Sequence, residues 1–231
     1  MWKSGEQTPL PTMFGDFFEG GVEKTSKEFT FGEHTVSVLC VHGENQHIDK
    51  WVPLVVWRAA EAFGLEISST RSAELQGKRV IELGSGTGLC GLLAAKISQQ
   101  FVLLTDGNED SLEALEESIG LNGMQGKVDS HVCEWGSLPH ISQIKSKFGD
   151  FDVCIATDVI YDREAIHPLL ISALGVLPQH SGTFILANHR YRYLGLLDEI
   201  KRCLTLEPQL VLEQVTRIGQ DDVDLFVFRK V

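Results

Sequence analysis

The sequence predicts an α/β fold: a Rossmann-like, mostly parallel seven-stranded sheet with helices on both faces, a C-terminal antiparallel hairpin strand and a small N-terminal β-hairpin. Three observations predict it. From Lys78 onward, short apolar runs alternate with helix-length segments, the pattern of parallel strands joined by crossover helices. The first run feeds directly into the alternate glycines Gly84, Gly86 and Gly88, and a helical pattern begins at once. The last two runs, Leu210–Ile218 and Val223–Lys230, are linked only by Gly219-Gln-Asp-Asp222. That link is too short for a parallel crossover, so the final strand must enter antiparallel.

In chain order, residues 1–26 mix Gly, Pro, Phe and charge without periodicity and read as a loosely docked arm, with Phe14, Phe17 and Phe18 packing on the body. Lys27–Val41 reads as a β-hairpin, Glu28–Phe31 and the alternating Thr35–Val41 joined through Gly32-Glu-His34. Residues 1–50 thus form the arm and hairpin, and 51–231 the main domain. Trp51–Phe63 carries apolar residues at helical spacing, and Gly64–Gly77 reads as a polar connection. The expected strands of the sheet are Arg79–Leu83, Phe101–Thr105, Val128–Cys133, Phe151–Thr157 and Gly182–Asn188. The expected helices between them are Leu89–Ser98, Asn108–Leu121, Glu164–Leu177 and Leu194–Leu204.

Composition narrows the function classes. The chain has 231 residues, is 43% hydrophobic and 23% charged, and carries a net charge of -12, which suits a globular domain with a sizeable core. Without a basic run, binding along a nucleic-acid backbone is not expected, and no apolar stretch reaches membrane-spanning length. The five cysteines, Cys40, Cys90, Cys133, Cys154 and Cys203, are scattered and odd in number. They read as buried reduced thiols, and with no leader-like N-terminus the expected location is the cytoplasm or nucleus. His42 and His47 lack metal-ligand spacing and read as loop residues, so no metal is expected.

Ligands of an open α/β sheet lie beyond the carboxyl ends of its strands. The first strand ends in Glu82-x-Gly84-x-Gly86-x-Gly88, the second in Asp106-Gly107-Asn108, the third near Trp135, and the fourth in Thr157-Asp158-x-x-Tyr161. Glycines let a loop backbone approach a nucleoside cofactor, and an acid after the second strand can take both ribose hydroxyls. Gly86-Thr-Gly88-Leu-Cys-Gly91 also satisfies a dinucleotide fingerprint. Glu82 favours S-adenosylmethionine instead, because a carboxylate repels a pyrophosphate but suits a sulfonium and an ammonium. Asp106 reads as a ribose clamp or as a cap on the following helix, Trp135 as an adenine wall or as core, and Trp57 as a large residue able to close over the cofactor. Asp158 and Tyr161 stand where a methyl acceptor would be held, with an N-cap as the alternative role for Asp158.

On these residues the chain resembles the seven-β-strand protein methyltransferases of methyltransferase family 16, which act on chaperones, elongation factors and calmodulin. The glycine loop is general to class I methyltransferases. Trp57, Trp135 and above all the D-x-x-Y element Asp158–Tyr161 are more specific, and Thr105-Asp-Gly-Asn-Glu109 is similar to a segment of the calmodulin-lysine methyltransferase group. The resemblance implies cofactor contacts at Trp57, Gly84, Gly86, Asp106 and Trp135, and substrate-side roles for Asp158 and Tyr161. Glu82, Gly88, Gly107, Asn108 and Thr157 complete the expected cofactor set. It implies a protein-lysine methyltransferase with a protein substrate; a monomer is expected. A histidine or small-molecule acceptor, or a catalytically silent scaffold, are the alternatives.

Overall fold

The computed structural model describes residues 23–42, 54–220 and 222–231. Its strands are β1 (Glu23–Phe31), β2 (His34–His42), β3 (Val80–Leu83), β4 (Val102–Asp106), β5 (Val128–Val132), β6 (Val153–Thr157), β7 (Thr183–His189), β8 (Leu210–Ile218) and β9 (Val223–Lys230). Its helices are α1 (Arg58–Ser68), α2 (Ser72–Leu75), α3 (Leu89–Ser98), α4 (Glu109–Leu121), α5 (Leu138–Phe148), α6 (Ile166–Val176) and α7 (Leu196–Leu204). Phe14, Phe17, Phe18 and His47 lie outside the described residues, as does the start of the helix expected from Trp51.

The seven-stranded sheet has the order β5-β4-β3-β6-β7-β9-β8. The pairs from β5 through β7 are parallel, while β9 runs antiparallel to both β7 and β8. All four residues of β3 are buried, as expected of a central parallel strand covered on both faces. Alternate side chains feed two cores. Val80, Val102, Leu104 and Ile155 pack with α1, α3 and α4. Ile81, Leu83, Leu103 and Cys154 pack with α5, α6 and α7.

The N-terminal hairpin is not a separate body. Phe29, Phe31, Val36 and Val38 belong to the same core cluster as Phe63 of α1 and Leu92 and Leu93 of α3. The outer edge of β2 is closed by α4 and the residue just after it. The Leu39 N–H donates to Ser118 Oγ at 3.0 Å, the Ser37 N–H donates to Asn122 Oδ1 at 3.1 Å, and Asn122 Nδ2 donates back to the Ser37 carbonyl at 2.6 Å.

Four expectations are corrected. Strand β1 begins at Glu23, so residues 23–26, expected in the arm, pair with β2 in the hairpin. The helix expected over Trp51–Phe63 starts only at Arg58 and runs on to Ser68, so Trp57 precedes it as the N-cap residue. The connection expected at Gly64–Gly77 therefore holds the end of α1 and the short α2. Helix α5 was not expected, because only Ile141 and Ile144 of its residues are buried and so little apolar periodicity marks it.

Candidate functional site

The carboxyl ends of β3, β4 and β6 open into one cavity of about 730 Å³. Of the residues singled out from the sequence, Trp57, Glu82, Gly84, Gly86, Asp106, Gly107, Asn108, Trp135, Thr157, Asp158 and Tyr161 all line it. Gly88 does not. Its positive φ of 79° starts α3, and a β-carbon there would stand 2.7 Å from Leu115 Cδ2. It is a packing glycine between α3 and α4, and its expected place among the cofactor residues is withdrawn.

The glycine loop is braced from both sides. Ser85 and Thr105 exchange hydrogen bonds, Ser85 N–H to the Thr105 carbonyl at 2.8 Å and Thr105 N–H to Ser85 Oγ at 3.0 Å. Gly84 has φ 73°, and a β-carbon there would lie 2.8 Å from Val159 Cγ1 and 2.9 Å from Trp135 Cζ2. The indole of Trp135 is thus packed against the glycine loop. It also packs on the core on the α6 side and lines the cavity.

Asp106 braces the same loop. Its Oδ2 accepts the Gly86 N–H at 2.9 Å and its Oδ1 accepts the Asn108 N–H at 3.0 Å. The carboxylate holds the loop and the start of α4 together, and the Gly107 N–H and the Ser111 side chain also bear on it. Burial pushes its carboxyl above the ordinary range, against the lowering pull of these N–H donors.

Glu82 is buried, with Oε2 accepting the Gly91 N–H of the first turn of α3 at 3.1 Å. Burial raises its carboxyl to about 8, opposed by hydrogen bonds from Ser85 and Gly91 and reinforced by the charge of Asp106. The Thr157 hydroxyl, also buried in the wall, makes no hydrogen bond beyond the weak interaction with the Cys90 thiol.

Asp158 ends β6 with φ 56°, a left-handed conformation that Asp tolerates better than most residues. Its N–H donates to the Ala187 carbonyl at 2.7 Å, and its Oδ1 accepts the His189 N–H at 3.1 Å. It is not the helix cap considered for it. Asp162 is the capping acid instead, its Oδ1 accepting the Glu164 N–H at 3.1 Å at the start of the 3-10 turn Arg163–Ala165 that leads into α6. Tyr161 stands at the mouth and is 66% exposed.

Two residues of this site were missed. Asn188 is fully buried, accepting from the Ile160 N–H at 2.9 Å and donating to the Ile160 carbonyl at 3.0 Å, and so clamps the Asp158–Tyr161 turn. An amide inside an otherwise apolar strand was the available signal. Arg192 lines the cavity from the loop between β7 and α7. Its guanidinium lies 3.8 Å from the Trp57 ring centre, and its Nε is 3.6 Å from Asp158 Oδ2.

The arrangement fits S-adenosylmethionine: an acid at the end of β4, a glycine loop admitting close approach, indoles on the wall, and carboxyls suited to a cationic ligand. Comparison with known proteins agrees. A family profile described as lysine methyltransferase matches residues 43–202. Protein N-lysine methyltransferase METTL21A of Danio rerio is 30% identical over 214 residues, 89% of this chain and 88% of its own. EEF1A lysine methyltransferase 3 of Mus musculus is 29% identical over 206 residues, covering 88% of this chain and 81% of its own. The SAH-bound methyltransferase PaMTH1 of Podospora anserina shares the fold, with a TM-score of 0.56 at 14% identity over 73% of this chain and 78% of its own.

Proposed function

The chain belongs to the lysine methyltransferase family, and from that premise we propose that it moves the methyl group of S-adenosylmethionine to a lysine side chain of a protein, in the cavity described above. One observation carries the assignment of roles. The glycine loop with Asp106, and the Asp158–Tyr161 element, open into a single cavity, so cofactor side and acceptor side adjoin.

The cofactor, S-adenosylmethionine, supplies a methyl group made electrophilic by its sulfonium. The protein's part is to bind, orient and exclude water. Asp106 takes the ribose hydroxyls. Gly84 and Gly86 admit the ligand against the loop, Gly107 and Asn108 continue the ribose side, and Trp135, Trp57 and Thr157 wall the pocket. Glu82 answers the ligand's positive charge.

The acceptor must be neutral to react, and an unperturbed lysine amine, with a pKa of about 10.4, is neutral about once in a thousand near pH 7. Asp158 orients the amine and Tyr161 confines it. No strong base is required, since the proton can leave to water at the exposed mouth. Five buried free thiols suit a reducing compartment, which supports a cytoplasmic or nuclear setting.

The test is transfer of labelled methyl from S-adenosylmethionine into a lysate lacking this protein, with mass spectrometry of the labelled band. Methyl-lysine in a protein is the expected product. EEF1A, which one relative is named for, is a purified acceptor to include. Label on histidine or on small molecules alone would overturn the lysine assignment.

A further inference from the structure

Arg192 and Glu134 are the charged residues of the cavity that the roles above leave unused, one of each sign. The Arg192 guanidinium stacks 3.8 Å from the Trp57 ring centre, and its Nε stands 3.6 Å from Asp158 Oδ2. That separation is too long for a hydrogen bond, so stacking and charge hold the group without a fixed donor. The Asp158 side chain is 2% exposed and that of Arg192 is 29% exposed; the guanidinium reaches from the rim to a buried carboxylate. The other oxygen of Asp158 is already engaged by the His189 N–H.

An aromatic face beside a carboxylate is a binding place for an organic cation. A lysine ammonium and the Arg192 guanidinium would use the same two partners, Trp57 and Asp158. Two cations against one buried carboxylate are unfavourable, so one has to leave. The same loop carries Arg190, which stacks on Tyr191 at 5.6 Å and has no ion-pair partner among the described residues. The rim is therefore rich in guanidinium although the whole chain has a net charge of -12.

We propose that Arg192 is a specificity-determining residue of the acceptor side: its guanidinium holds the cation position between Trp57 and Asp158, a substrate lysine enters by displacing it, and a carboxylate neighbouring that lysine receives the displaced guanidinium. The acceptor class is then a lysine with acidic neighbours. This rests on the reading of Asp158 as an acceptor-side residue. Only a side-chain swing is required, because the loop backbone is tied down by Arg190 N–H to the Asp222 carbonyl and by Arg192 N–H to the His189 carbonyl, each 3.0 Å.

The test uses the full chain saturated with S-adenosylhomocysteine and three capped pentapeptides, with lysine flanked by alanines, glutamates or arginines. Calorimetric titration of the wild type should rank the glutamate-flanked peptide tightest, by roughly tenfold over the alanine-flanked one, a difference of about 1.4 kcal/mol. Arg192→Ala should bind the alanine-flanked peptide roughly tenfold more tightly than wild type, and should lose most of the glutamate preference. Arg192→Lys keeps a cation without the planar stacking surface and should fall between. Adding Asp158→Asn to Arg192→Ala should abolish the gain.

An Arg192→Ala protein that binds the alanine-flanked peptide no better than wild type, or that keeps the glutamate preference, overturns the exchange. Melting temperature and S-adenosylhomocysteine affinity, measured on every variant, separate this from misfolding. Failure of every variant to bind any peptide, with cofactor affinity intact, would instead remove the acceptor-site reading and the inference with it.

Discussion

Glu82→Gln isolates the most strongly shifted acid of the cavity. Glu82 is buried and its carboxyl is raised from 4.5 to about 8, chiefly by burial. Below pH 4.5 the folded and unfolded chains both hold the proton. Between 4.5 and about 8 the unfolded chain releases it and the folded protein keeps it, so stability falls as pH rises through that window, and above it the loss is complete. At about 1.4 kcal/mol per unit, the site withdraws on the order of 4–5 kcal/mol. Glutamine keeps an oxygen for the Gly91 N–H, bonded at 3.1 Å in the wild type, and has no proton to lose. Its added amide donors contribute an offset that does not vary with pH.

The melting temperature of Glu82→Gln relative to wild type should therefore climb with pH, by on the order of 10 °C between pH 5 and 9 for a domain of this size. Differential scanning calorimetry of both proteins across that range reads the slope directly, and titrations elsewhere in the chain cancel in the difference. A difference that stays flat would refute the burial argument. The same carboxyl should ionise when a cationic ligand arrives. Calorimetry of S-adenosylmethionine binding in two buffers near pH 7 should then show proton release, and S-adenosylhomocysteine, without the sulfonium, should release less.

Other substitutions probe separate parts of the site. Asp106→Ala should lower S-adenosylmethionine affinity by roughly a hundredfold or more, since two charge-assisted bonds to ribose are worth about 1.5–3 kcal/mol each; unchanged affinity by titration would remove the ribose assignment. Gly84→Ala places a β-carbon 2.8 Å from Val159 Cγ1 at φ 73°, and should lower both melting temperature and cofactor affinity, whereas loss of neither would show the loop to be slack. Asp158→Asn suits the φ of 56° and keeps an acceptor for the His189 N–H, so cofactor affinity should hold while single-turnover transfer falls on the order of a hundredfold. Tyr161→Phe, which removes only a hydroxyl, should lose less, and wild-type transfer in Asp158→Asn would return the acceptor site to unknown.

Much of this molecule was legible because its chemistry sits at strand ends. Val80–Leu83 is apolar except for Glu82, and the residues after it need glycine, so both strand and loop announce themselves locally. Asp106 and Asp158 follow apolar runs in the same way. What escaped lacked either periodicity or proximity. Helix α5 buries only Ile141 and Ile144; its boundaries were written in Ser137 as N-cap, Pro139 in the first turn, lysines in the last turn and Gly149 at the end. The acid that caps the 3-10 turn Arg163–Ala165 leading into α6 is Asp162, four residues beyond the acid first considered. Arg192 meets Trp57 across 134 intervening positions of chain, a pairing that only the folded sheet creates, and Trp57 itself owes its place to a helix that starts after it.

The docking of β2 on Ser118 and Asn122 has a consequence for self-association. A two-stranded sheet normally leaves a ladder edge ready to pair with another molecule. Here one amide, Asn122, closes both the N–H and the carbonyl of Ser37, doing with a side chain what a third strand would do. Asn122→Ala would reopen that edge, and light scattering should record association growing with concentration. Helix α4 lies between Asn122 and the Asp106–Asn108 turn at the cavity. The element that covers the edge of the hairpin thus begins beside the cavity proposed for the cofactor, and one helix spans the distance between the two.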